Sequence, residues 1–269
     1  MLGAGVRDDA VFETHHGESV DVLPTLDPGT VDLCWTDPPF NTGDKQSLGG
    51  NSYDDRYDSI GDYLTAMETV FTLVEPLMAP HGVVCVCLDY RAVHDVKVRV
   101  LDVVFGRDRF MGEIIWHSQL GNTSKRWWSN KHNTILTYAV DDSPTFNLHA
   151  VPTTDRLAPR GGYTSATRPV NSVWPITLSP TASERVQYPN QKPLDLIRPF
   201  INVHTNRGGI VLDPFMGSGS TLVAALQARR RAVGVDRNEE AFRVANGRCD
   251  KEMMQQTHPY QQRVLGSVT

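Results

Sequence analysis

Short apolar runs alternate with longer segments of helical spacing along most of the chain. The apolar runs have the length of strands that are buried on both faces, and they predict strands at 31–35, 83–88, 113–117, 134–140, 210–212 and 232–235. Apolar residues three and four positions apart predict helices at 59–77, 92–105, 192–203, 221–228 and 239–249. This alternation predicts an α/β fold with a doubly wound, mostly parallel sheet.

Four stretches of the chain lack a sustained period. Residues 1–30 are mixed and rich in turns, and 253–269 form a polar tail that is expected to be loosely held. Residues 41–58 are rich in Gly, Asn, Asp and Tyr, and a segment of this length is more often a functional loop than an incidental insertion. Residues 141–185 are expected to be either a disordered linker or a small lobe with four apolar anchors: Tyr163, Val173, Trp174 and Ile176.

The first predicted strand leads into the tetrapeptide Asp37-Pro38-Pro39-Phe40. Ligands of open α/β sheets bind at the carboxyl ends of the strands. The two prolines stiffen this turn because each fixes φ near about −65°, so a carboxylate and an aromatic ring are held side by side. A fixed acceptor beside a flat ring suits a planar base with an exocyclic amino group. The alternative is a plain turn that ends a strand.

A glycine-rich loop, 213–221, joins a predicted strand to a predicted helix. Its glycines let the backbone approach a ligand, and the helix N-terminus offers free N–H groups. No Lys follows the last glycine, so it is not a Walker loop, and Asp213 would repel a pyrophosphate. Asp236 ends the next strand, where an acid suits ribose hydroxyls. S-adenosylmethionine, a nucleoside with a cationic amino acid, fits these charges; a helix cap without a ligand is the alternative.

The charge of the chain is unevenly distributed. Its 269 residues, 40% of them hydrophobic, fit one large domain or one domain with an inserted lobe. The net charge of −5 argues against a nucleic-acid partner, but residues 1–110 hold 8 Lys and Arg against 19 Asp and Glu, a net charge of −11. Residues 111–269 hold 18 against 12, a net charge of +6. A local basic face can bind phosphates even when the whole protein is acidic.

Basic and aromatic residues occur together in the middle of the chain. Lys125 and Arg126 precede Trp127 and Trp128, and Lys131 follows them. Such a cluster can bind phosphates while its rings stack or wedge, whereas packing of both tryptophans in the core is the alternative. Three further basic residues lie in the irregular segment, namely Arg156, Arg160 and Arg168.

Several classes of protein are disfavoured by the sequence. The chain has no run of 18 apolar residues that would predict a transmembrane helix, and its acidic N-terminus does not resemble a signal peptide. Cys85 and Cys87 alternate along one predicted strand and would share a face. No second ligand pair stands at zinc spacing, so we expect no metal, and buried thiols in a reducing cytoplasm.

Three motifs, taken together and in order, resemble the DNA amino-methyltransferases of the D-P-P-Y type, in the permuted order called the beta class. They lie at 36–42, 188–193 and 213–221, and the resemblance extends from about Gly17 to Arg248. It implies a Rossmann-like, circularly permuted, S-adenosylmethionine-dependent methyltransferase fold with a small inserted recognition region. The implied division is a catalytic half at 1–117, target recognition at 118–185, a cofactor-binding half at 186–252 and a polar tail at 253–269.

The resemblance implies a role for each matched residue. Asp37 and the carbonyl of Pro38 would accept hydrogen bonds from the target amino group, Pro39 would complete the rigid turn, and Phe40 would stack on the extruded base. Phe in place of the more frequent Tyr keeps the stacking face and lacks the hydroxyl. The implied S-adenosylmethionine site comprises Asp213, Pro214, Phe215, Gly217, Ser218, Gly219, Thr221, Asp236 and Lys192. Apart from the resemblance, the basic composition of the middle segment predicts DNA contacts at Lys125, Arg126, Lys131, Arg156, Arg160 and Arg168.

The predicted reaction is methylation of adenine N6 in double-stranded DNA, with no metal and no covalent intermediate. Asp at the first motif position is the basis for adenine, because relatives that modify cytosine N4 more often carry Ser there. Cytosine N4 is the close alternative. Methylation of RNA or of protein glutamine, and a catalytically inactive DNA-binding module, are the others. A cytoplasmic location in a bacterial or viral setting is expected, and a homodimer is an expectation from the family alone.

Overall fold

A computed structural model describes residues 11–43, 45–48, 51–118, 125–155, 167–177, 182–186 and 188–257. The strands are β1 (Phe12–His16), β2 (Val31–Thr36), β3 (Lys45–Leu48), β4 (Asn51–Asp54), β5 (Met78–Asp89), β6 (Phe110–His117), β7 (His132–Ala139), β8 (Thr153–Asp155), β9 (Thr167–Pro169), β10 (Val173–Pro175), β11 (Ile210–Asp213) and β12 (Arg231–Asp236). The α-helices are α1 (Ser19–Val22), α2 (Ile60–Val74), α3 (Val93–Val96), α4 (Leu194–His204), α5 (Ser220–Gln227) and α6 (Glu239–Thr257). A π-helix continues α3 over Lys97–Gly106, and short 3-10 helices lie at Leu23–Thr25, Glu75–Leu77, Arg107–Arg109 and Leu148–Ala150.

The fold is organised around an eight-stranded sheet in the order β1-β12-β11-β2-β5-β7-β6-β10. The five strands from β1 to β5 in this order run parallel, β7 is antiparallel to both its neighbours, and β10 is parallel to β6. The prediction of a mostly parallel α/β sheet is therefore confirmed. Because β11 and β12 lie beside β2, the last part of the chain completes a sheet that the first part begins.

Helices cover both faces of the sheet, and the residues of β5 show how. Val83, Cys85 and Cys87 pack in the core formed with α4, α5 and α6, whereas Val84 and Leu88 pack in the core formed with α2 and α3. Successive side chains of a strand point to opposite faces, so a continuous apolar run serves both layers. The prediction that the two thiols share one face is confirmed.

The strand at the edge of the sheet, β1, was not predicted. Its sequence is Phe-Glu-Thr-His-His, and its side chains are only partly buried because β12 is its one neighbour in the sheet. A buried-strand pattern cannot detect so polar a segment. Residues 41–58, predicted as a loop without periodicity, contain the two-stranded antiparallel sheet β3–β4.

The region around the first two predicted helices also differs from the prediction. The helix predicted at 59–77 is α2, which already ends at Val74, and Pro80 and Gly82 lie within β5. The pairing of β5 with β2 shifts register in this part, and proline is tolerated in a strand where the ladder is irregular. The predicted helix at 92–105 is present, mostly as the π-helix.

The irregular segment and the tail contain more structure than predicted. Residues 141–185 include β8, β9 and β10, and β10 belongs to the main sheet, so the linker alternative is wrong for these strands. Trp174 and Ile176 pack against the core formed with α4, α5 and α6. Tyr163 lies outside the described residues. The expected loose tail from 253 begins as the last turns of α6. No helix in the described part of the chain is long and apolar enough to cross a membrane.

Candidate active site

Four parallel strands bring carboxylates to one edge of the sheet. Asp37 directly follows β2, and Asp89, Asp213 and Asp236 are the last residues of β5, β11 and β12. Strands that run parallel end at the same edge, so residues far apart in the sequence meet there. The expectation that the site lies at these strand ends agrees with this arrangement.

Two cavities open at this edge. The first, of about 560 Å³, is lined by the glycine-rich loop 213–221 and the residues around it, and is called here the glycine-loop cavity. The second, of about 860 Å³, is lined by three tryptophans, Trp116, Trp127 and Trp128, and is called the tryptophan cavity. Both volumes lie within the range of small-molecule sites.

The Asp-Pro-Pro-Phe turn divides its residues between the two cavities. Asp37, Pro38 and Pro39 line the glycine-loop cavity, whereas Phe40 lines the tryptophan cavity. Lys192 lines both. The turn and this lysine therefore form the boundary at which a ligand of one cavity would meet a ligand of the other.

The carboxylate of Asp37 is held by Lys192. The Nζ of Lys192 donates to Oδ2 of Asp37 and, at 3.2 Å, to the carbonyl of Asn190. It also lies 5.0 Å from the ring centroid of Phe40, within the range of a cation–π contact. Oδ1 of Asp37 is buried and accepts no hydrogen bond of ordinary geometry from the described residues. One oxygen is thus ion-paired and the other keeps its acceptor capacity.

Opposing effects act on the protonation of Asp37. Burial raises the pKa of this carboxyl, while the charge and hydrogen bond of Lys192 lower it, and the nearby thiol of Cys87 lowers it further. The net result is a pKa above the ordinary value. Burial also raises the pKa of Cys87 well above its usual range, so the thiol stays protonated and can act as a weak donor toward the carboxylate.

The turn that carries Lys192 is fixed by its own side chains. Gln191 accepts from the N–H of Val186 at 2.8 Å and donates to the carbonyl of Glu184 at 2.9 Å. The Glu184 carboxylate accepts from the N–H of Leu194 at 3.1 Å, at the start of α4. The negative charge also complements the positive end of the helix. Lys192 therefore lies in a segment that hydrogen bonds fix at the start of α4.

The residues after Phe40 are held by a buried carboxylate, Asp55. It accepts from the N–H of Asn41 at 2.9 Å, and from the N–H and hydroxyl of Thr42 at 3.2 and 2.7 Å. Asn41 has a φ of 54°, a left-handed conformation that few residues other than Gly and Asn adopt readily. Asp55 thus compensates a strained turn and holds the backbone that follows Phe40.

Asp213 connects the glycine-rich loop to β2. Its Oδ1 accepts from the hydroxyl of Thr36 at 2.8 Å and the N–H of Phe215 at 3.1 Å, and its Oδ2 accepts from the hydroxyl of Thr221 at 2.6 Å. Burial raises the pKa of Asp213 to about 7, although these three donors oppose the rise. The side chain is 3% exposed, so its first role is to hold the loop in place.

The two glycines of the loop have different roles. Gly217, with a φ of 48°, donates its N–H to Oδ2 of Asp236 at 2.9 Å, and both residues line the cavity. Gly219, with a φ of 75°, does not line it; a Cβ there would stand 2.8 Å from the Cβ of Ala245 in α6. Gly219 therefore permits close packing of α5 on α6. The other predicted cofactor residues line the cavity: Asp213, Pro214, Phe215, Ser218, Thr221 and Lys192.

The predicted DNA-binding residues are only partly described. Lys125 and Arg126 are exposed, Lys131 lines the tryptophan cavity, and Arg168 lies in β9 and lines neither cavity. Arg156 and Arg160 lie outside the described residues. The alternative in which Trp127 and Trp128 pack in the core is wrong, because they are 77% and 83% exposed.

Several residues that support the site were not predicted. Thr36, Asp55 and Cys87 contact the Asp-Pro-Pro-Phe turn or its neighbours, and Arg248, in α6, donates to the carbonyl of Ser218 at 2.7 Å. Their partners are distant in the sequence, so no local spacing marks them. Thr36 does stand within the quoted first motif. Among the described residues, no group of three or more His, Cys, Asp and Glu side chains is arranged to hold a metal ion.

Proteins of similar sequence and fold were found for the chain. The Type II methyltransferase M.HpaI of Haemophilus parainfluenzae is 27% identical over 236 residues, which cover 87% of this chain and 73% of the relative. The solved structure of the cytosine-N4-specific PvuII DNA methyltransferase has a TM-score of 0.69 at 16% identity and covers 92% and 93% of the two chains. The M1.HpyAVI–SAM complex has a TM-score of 0.61 at 22% identity and covers 88% and 98%.

The family itself is identified by a profile match that spans most of the sequence. The N6_N4_Mtase profile, described as DNA methylase, matches residues 31–247 and so includes all three sequence motifs. The resemblance read from those motifs is thereby confirmed. The chain belongs to the N6/N4 DNA methylase family, whose members use S-adenosylmethionine as the methyl donor.

Proposed function

We propose that this protein transfers a methyl group from S-adenosylmethionine to the exocyclic N6 of adenine in duplex DNA, after the adenine has turned out of the helix. The observation that carries the proposal is the position of Asp37 between two cavities, with one buried oxygen that accepts no described hydrogen bond. An exocyclic amino group has an N–H to satisfy such an acceptor. The relatives named as Type II methyltransferases support a sequence-specific role in restriction–modification.

The glycine-loop cavity suits the methyl donor. Gly217 allows close approach of the backbone, and the nearest atom to a Cβ at this position would be 3.7 Å away in Tyr188. Asp236 keeps lone pairs on both carboxylate oxygens beyond the two backbone N–H groups it already accepts, and these suit ribose hydroxyls. The bound donor supplies an electrophilic methyl group on a positively charged sulfur.

The residues of the turn position the amino group. Asp37 accepts a hydrogen bond from one N–H of that group and so directs the nitrogen lone pair toward the glycine-loop cavity. The nitrogen, the methyl carbon and the sulfur would then lie in line for the transfer. The nitrogen would form a bond to the methyl carbon as the carbon–sulfur bond breaks and its electron pair stays on sulfur, which leaves as a neutral thioether, and the proton lost by the amino group would pass to solvent. Phe40 provides a stacking face on the other side, worth roughly 1–3 kcal/mol per base. This offsets part of the cost of unstacking the base from duplex DNA.

Lys192 lines the glycine-loop cavity and also contacts the Asp-Pro-Pro-Phe turn. It was expected to bind the cofactor, but its ammonium group pairs with Asp37. We therefore propose that it holds the carboxylate ionised and oriented, while its stem contributes to both cavities. The ammonium group of Lys192 also lies near the Phe40 ring, so it fixes the position of the Asp37 carboxylate relative to that ring.

Adenine is preferred over cytosine because the first motif position is Asp. Cytosine N4 stays the close alternative, since the PvuII DNA methyltransferase, whose fold is similar, is cytosine-N4-specific. Both bases carry an exocyclic amino group that Asp37 could bind. We propose a cytoplasmic location because the proposed substrate is DNA. The homodimer stays a prediction.

The identity of the methylated nucleoside tests the proposal. The protein is incubated with S-adenosylmethionine labelled in the methyl group and with mixed-sequence duplex DNA, and the DNA is digested to nucleosides for mass spectrometry. N6-methyladenine is the expected product, and N4-methylcytosine would select the alternative. Label in RNA or in protein glutamine, but none in DNA, would show that the substrate class is wrong. Label in none of them would favour a catalytically inactive module.

An Asp37→Ala variant tests the assigned mechanism. We expect it to lose methyl transfer, by a factor of about 10³ or more if positioning and electrostatics both depend on this carboxylate. Binding of S-adenosylmethionine, measured by calorimetry, should stay within a few-fold of the wild type. Loss of cofactor binding in this variant would mean that Asp37 serves the donor and not the base.

A further inference from the structure

Two neighbouring tryptophans are the most exposed of the large apolar side chains in the described residues. Trp127 is 77% exposed and Trp128 is 83% exposed. Indole rings bury large areas and contribute strongly at interfaces, so a pair of them at the surface marks a binding region. Neither ring is needed to fill a core of the protein as described.

The position of the pair relates it to the proposed base site. Both tryptophans line the tryptophan cavity, together with Phe40 and Trp116. Trp116 is 8% exposed and its indole N–H donates to the carbonyl of Ile176 at 2.7 Å, so it belongs to the floor. The exposed pair lies at the mouth of the same cavity. A polymer that delivers a base to Phe40 would pass them.

The charge around the pair favours an anionic polymer. Lys125 and Arg126 directly precede the tryptophans and are exposed, and Lys131 and Arg185 line the cavity. Among the described residues of the lining, Asp89 is the one carboxylate, and it is paired with Arg91. Phosphates can be bound by these cations while the rings contact bases.

We propose that Trp127 and Trp128 enter the base stack of duplex DNA and fill the space that the target base leaves when it turns toward Phe40. This inference rests on the proposed function. A base that leaves the helix costs a few kcal/mol of lost stacking and pairing. Apolar side chains inserted between base steps stabilise such distorted DNA, and an indole ring restores stacking to the neighbouring bases. The exposed pair is therefore the part of the protein that stabilises the opened duplex.

The experiment compares variants on two duplexes. The methylated site is first located with the wild-type protein by sequencing methylated DNA. The variants are Trp127→Ala, Trp128→Ala, the double alanine variant and the double phenylalanine variant. Leu148→Ala is the matched control, because this residue is 63% exposed and lines neither cavity. One duplex carries the target base correctly paired, and the other carries it opposite a mismatched base, which makes turning it out less costly.

The expected result is a selective defect. On the paired duplex, each single alanine variant should lose up to about 5- to 150-fold in kcat/KM, the range for loss of one stacking ring, and the double alanine variant should lose at least as much. On the mismatched duplex most of this loss should disappear, and the phenylalanine variant should retain activity on both. A fluorescent 2-aminopurine at the target position should brighten on binding to the wild type and to Leu148→Ala, and less on binding to the alanine variant.

Two outcomes would overturn the inference while the wild type still methylates DNA. Equal activity of the alanine variants and the wild type would show that the rings do not contribute. An equal loss on both duplexes would show that they bind DNA without filling the opened stack. Absence of methylation by the wild type on any DNA would instead contradict the proposed function. Thermal unfolding of each variant identifies a defect that comes from misfolding. If an alanine variant is misfolded, the phenylalanine variant is compared with the wild type instead.

Discussion

The ion pair between Lys192 and Asp37 lies where the two cavities meet. Lys192 is 6% exposed, and its partner Asp37 carries the acceptor on which the proposed transfer depends. A buried carboxylate without a cation tends to take up a proton, and a protonated Asp37 would lose part of its strength as an acceptor. The lysine therefore matters for the pH at which the protein works.

Replacement of Lys192 tests this role. In Lys192→Met the pKa of Asp37 should rise, because the charge that lowers it is gone. Activity that needs the ionised acid should then be lost at a higher pH than in the wild type, so the acidic limb of kcat/KM moves upward by about 1 unit or more. Lys192→Arg, which keeps the charge, should move it less. A higher KM for S-adenosylmethionine with an unmoved pH profile would instead support the original assignment to the cofactor.

Asp213 gives a second pH prediction, this time for stability. Its pKa is raised to about 7 in the folded protein, so between about pH 4 and 7 the folded state binds more protons than the unfolded state. Stability from this residue is therefore greatest at low pH and falls as the pH rises through 7. Asp213→Asn removes the titration and keeps the shape.

The measurement is the free energy of unfolding of both proteins by denaturant at pH 5 and pH 8. Relative to the wild type, Asp213→Asn should become more stable at pH 8 than at pH 5, by on the order of 1–4 kcal/mol. A difference that is the same at both pH values would show that Asp213 is ionised throughout. The comparison at two pH values cancels any constant loss from the altered hydrogen bonds to Thr36 and Thr221.

The residues of the site fall into a predictable and an unpredictable group. Asp37, Phe40, Asp213 and Asp236 could be predicted, because each follows or ends an apolar strand and strand ends of a parallel sheet converge. Asp55 could not, since its contacts with residues 41–42 depend on how a polar segment folds back.

At the scale of the elements, the packing of α5 on α6 depends on one glycine. A Cβ at Gly219 would come 2.8 Å from the Cβ of Ala245, closer than such atoms approach, and φ is +75°. Gly219→Ala should therefore displace the start of α5 and with it the loop that lines the glycine-loop cavity. We expect a loss of stability of about 1–3 kcal/mol and weaker binding of S-adenosylmethionine.

Gly208→Ala is the matched control for this prediction. Gly208 has a φ of +80°, close to that of Gly219, but no atom lies within 4 Å of a Cβ at that position. It should show the cost of the backbone conformation without the clash. Stability by thermal unfolding and cofactor binding by calorimetry are measured for both. Equal effects in the two variants would show that backbone strain, and not helix packing, explains the need for glycine.

The strands and helices with a clear pattern of hydrophobic residues were predicted. The strands that depend on pairing with distant segments were not. The buried strands β2, β5, β11 and β12 each have an apolar run that follows from burial on both faces. The edge strand β1 has none, and the short strands of residues 141–185 exist because neighbouring strands provide hydrogen bonds. The π-helix has helical spacing, but its wider hydrogen bonding cannot be read from that spacing.

At the scale of the whole molecule, charge should govern DNA binding through one face. Replacing Lys125, Arg126 and Lys131 with Gln should weaken binding and make it less dependent on salt. If each cation contacts one phosphate, the slope of log K against log salt should fall in magnitude by up to about 2.7. Binding to a duplex at several salt concentrations, followed by fluorescence anisotropy, gives this slope.

The control removes the same charge from the opposite edge of the sheet. Arg207, Arg229 and Arg231 are exposed near the amino ends of β11 and β12, away from both cavities. Their replacement with Gln should leave the slope nearly unchanged. A similar decrease in both triple variants would mean that DNA binding follows the total charge of the protein and not a defined face.

The pairing of β1 with β12 has a consequence for how the protein is made. Phe12 lies opposite Ala232, so the strand β1 pairs with a partner 220 positions later in the sequence. Asp213, which ties the glycine-rich loop to Thr36, also appears late. Domains fold as units during synthesis, and contacts between distant parts of the chain form slowly. A chain interrupted before about residue 236 would therefore contain the Asp-Pro-Pro-Phe turn but neither Asp236 nor the full pairing of β1 with β12, so the proposed methyl-donor site would be completed only after β12 has been made.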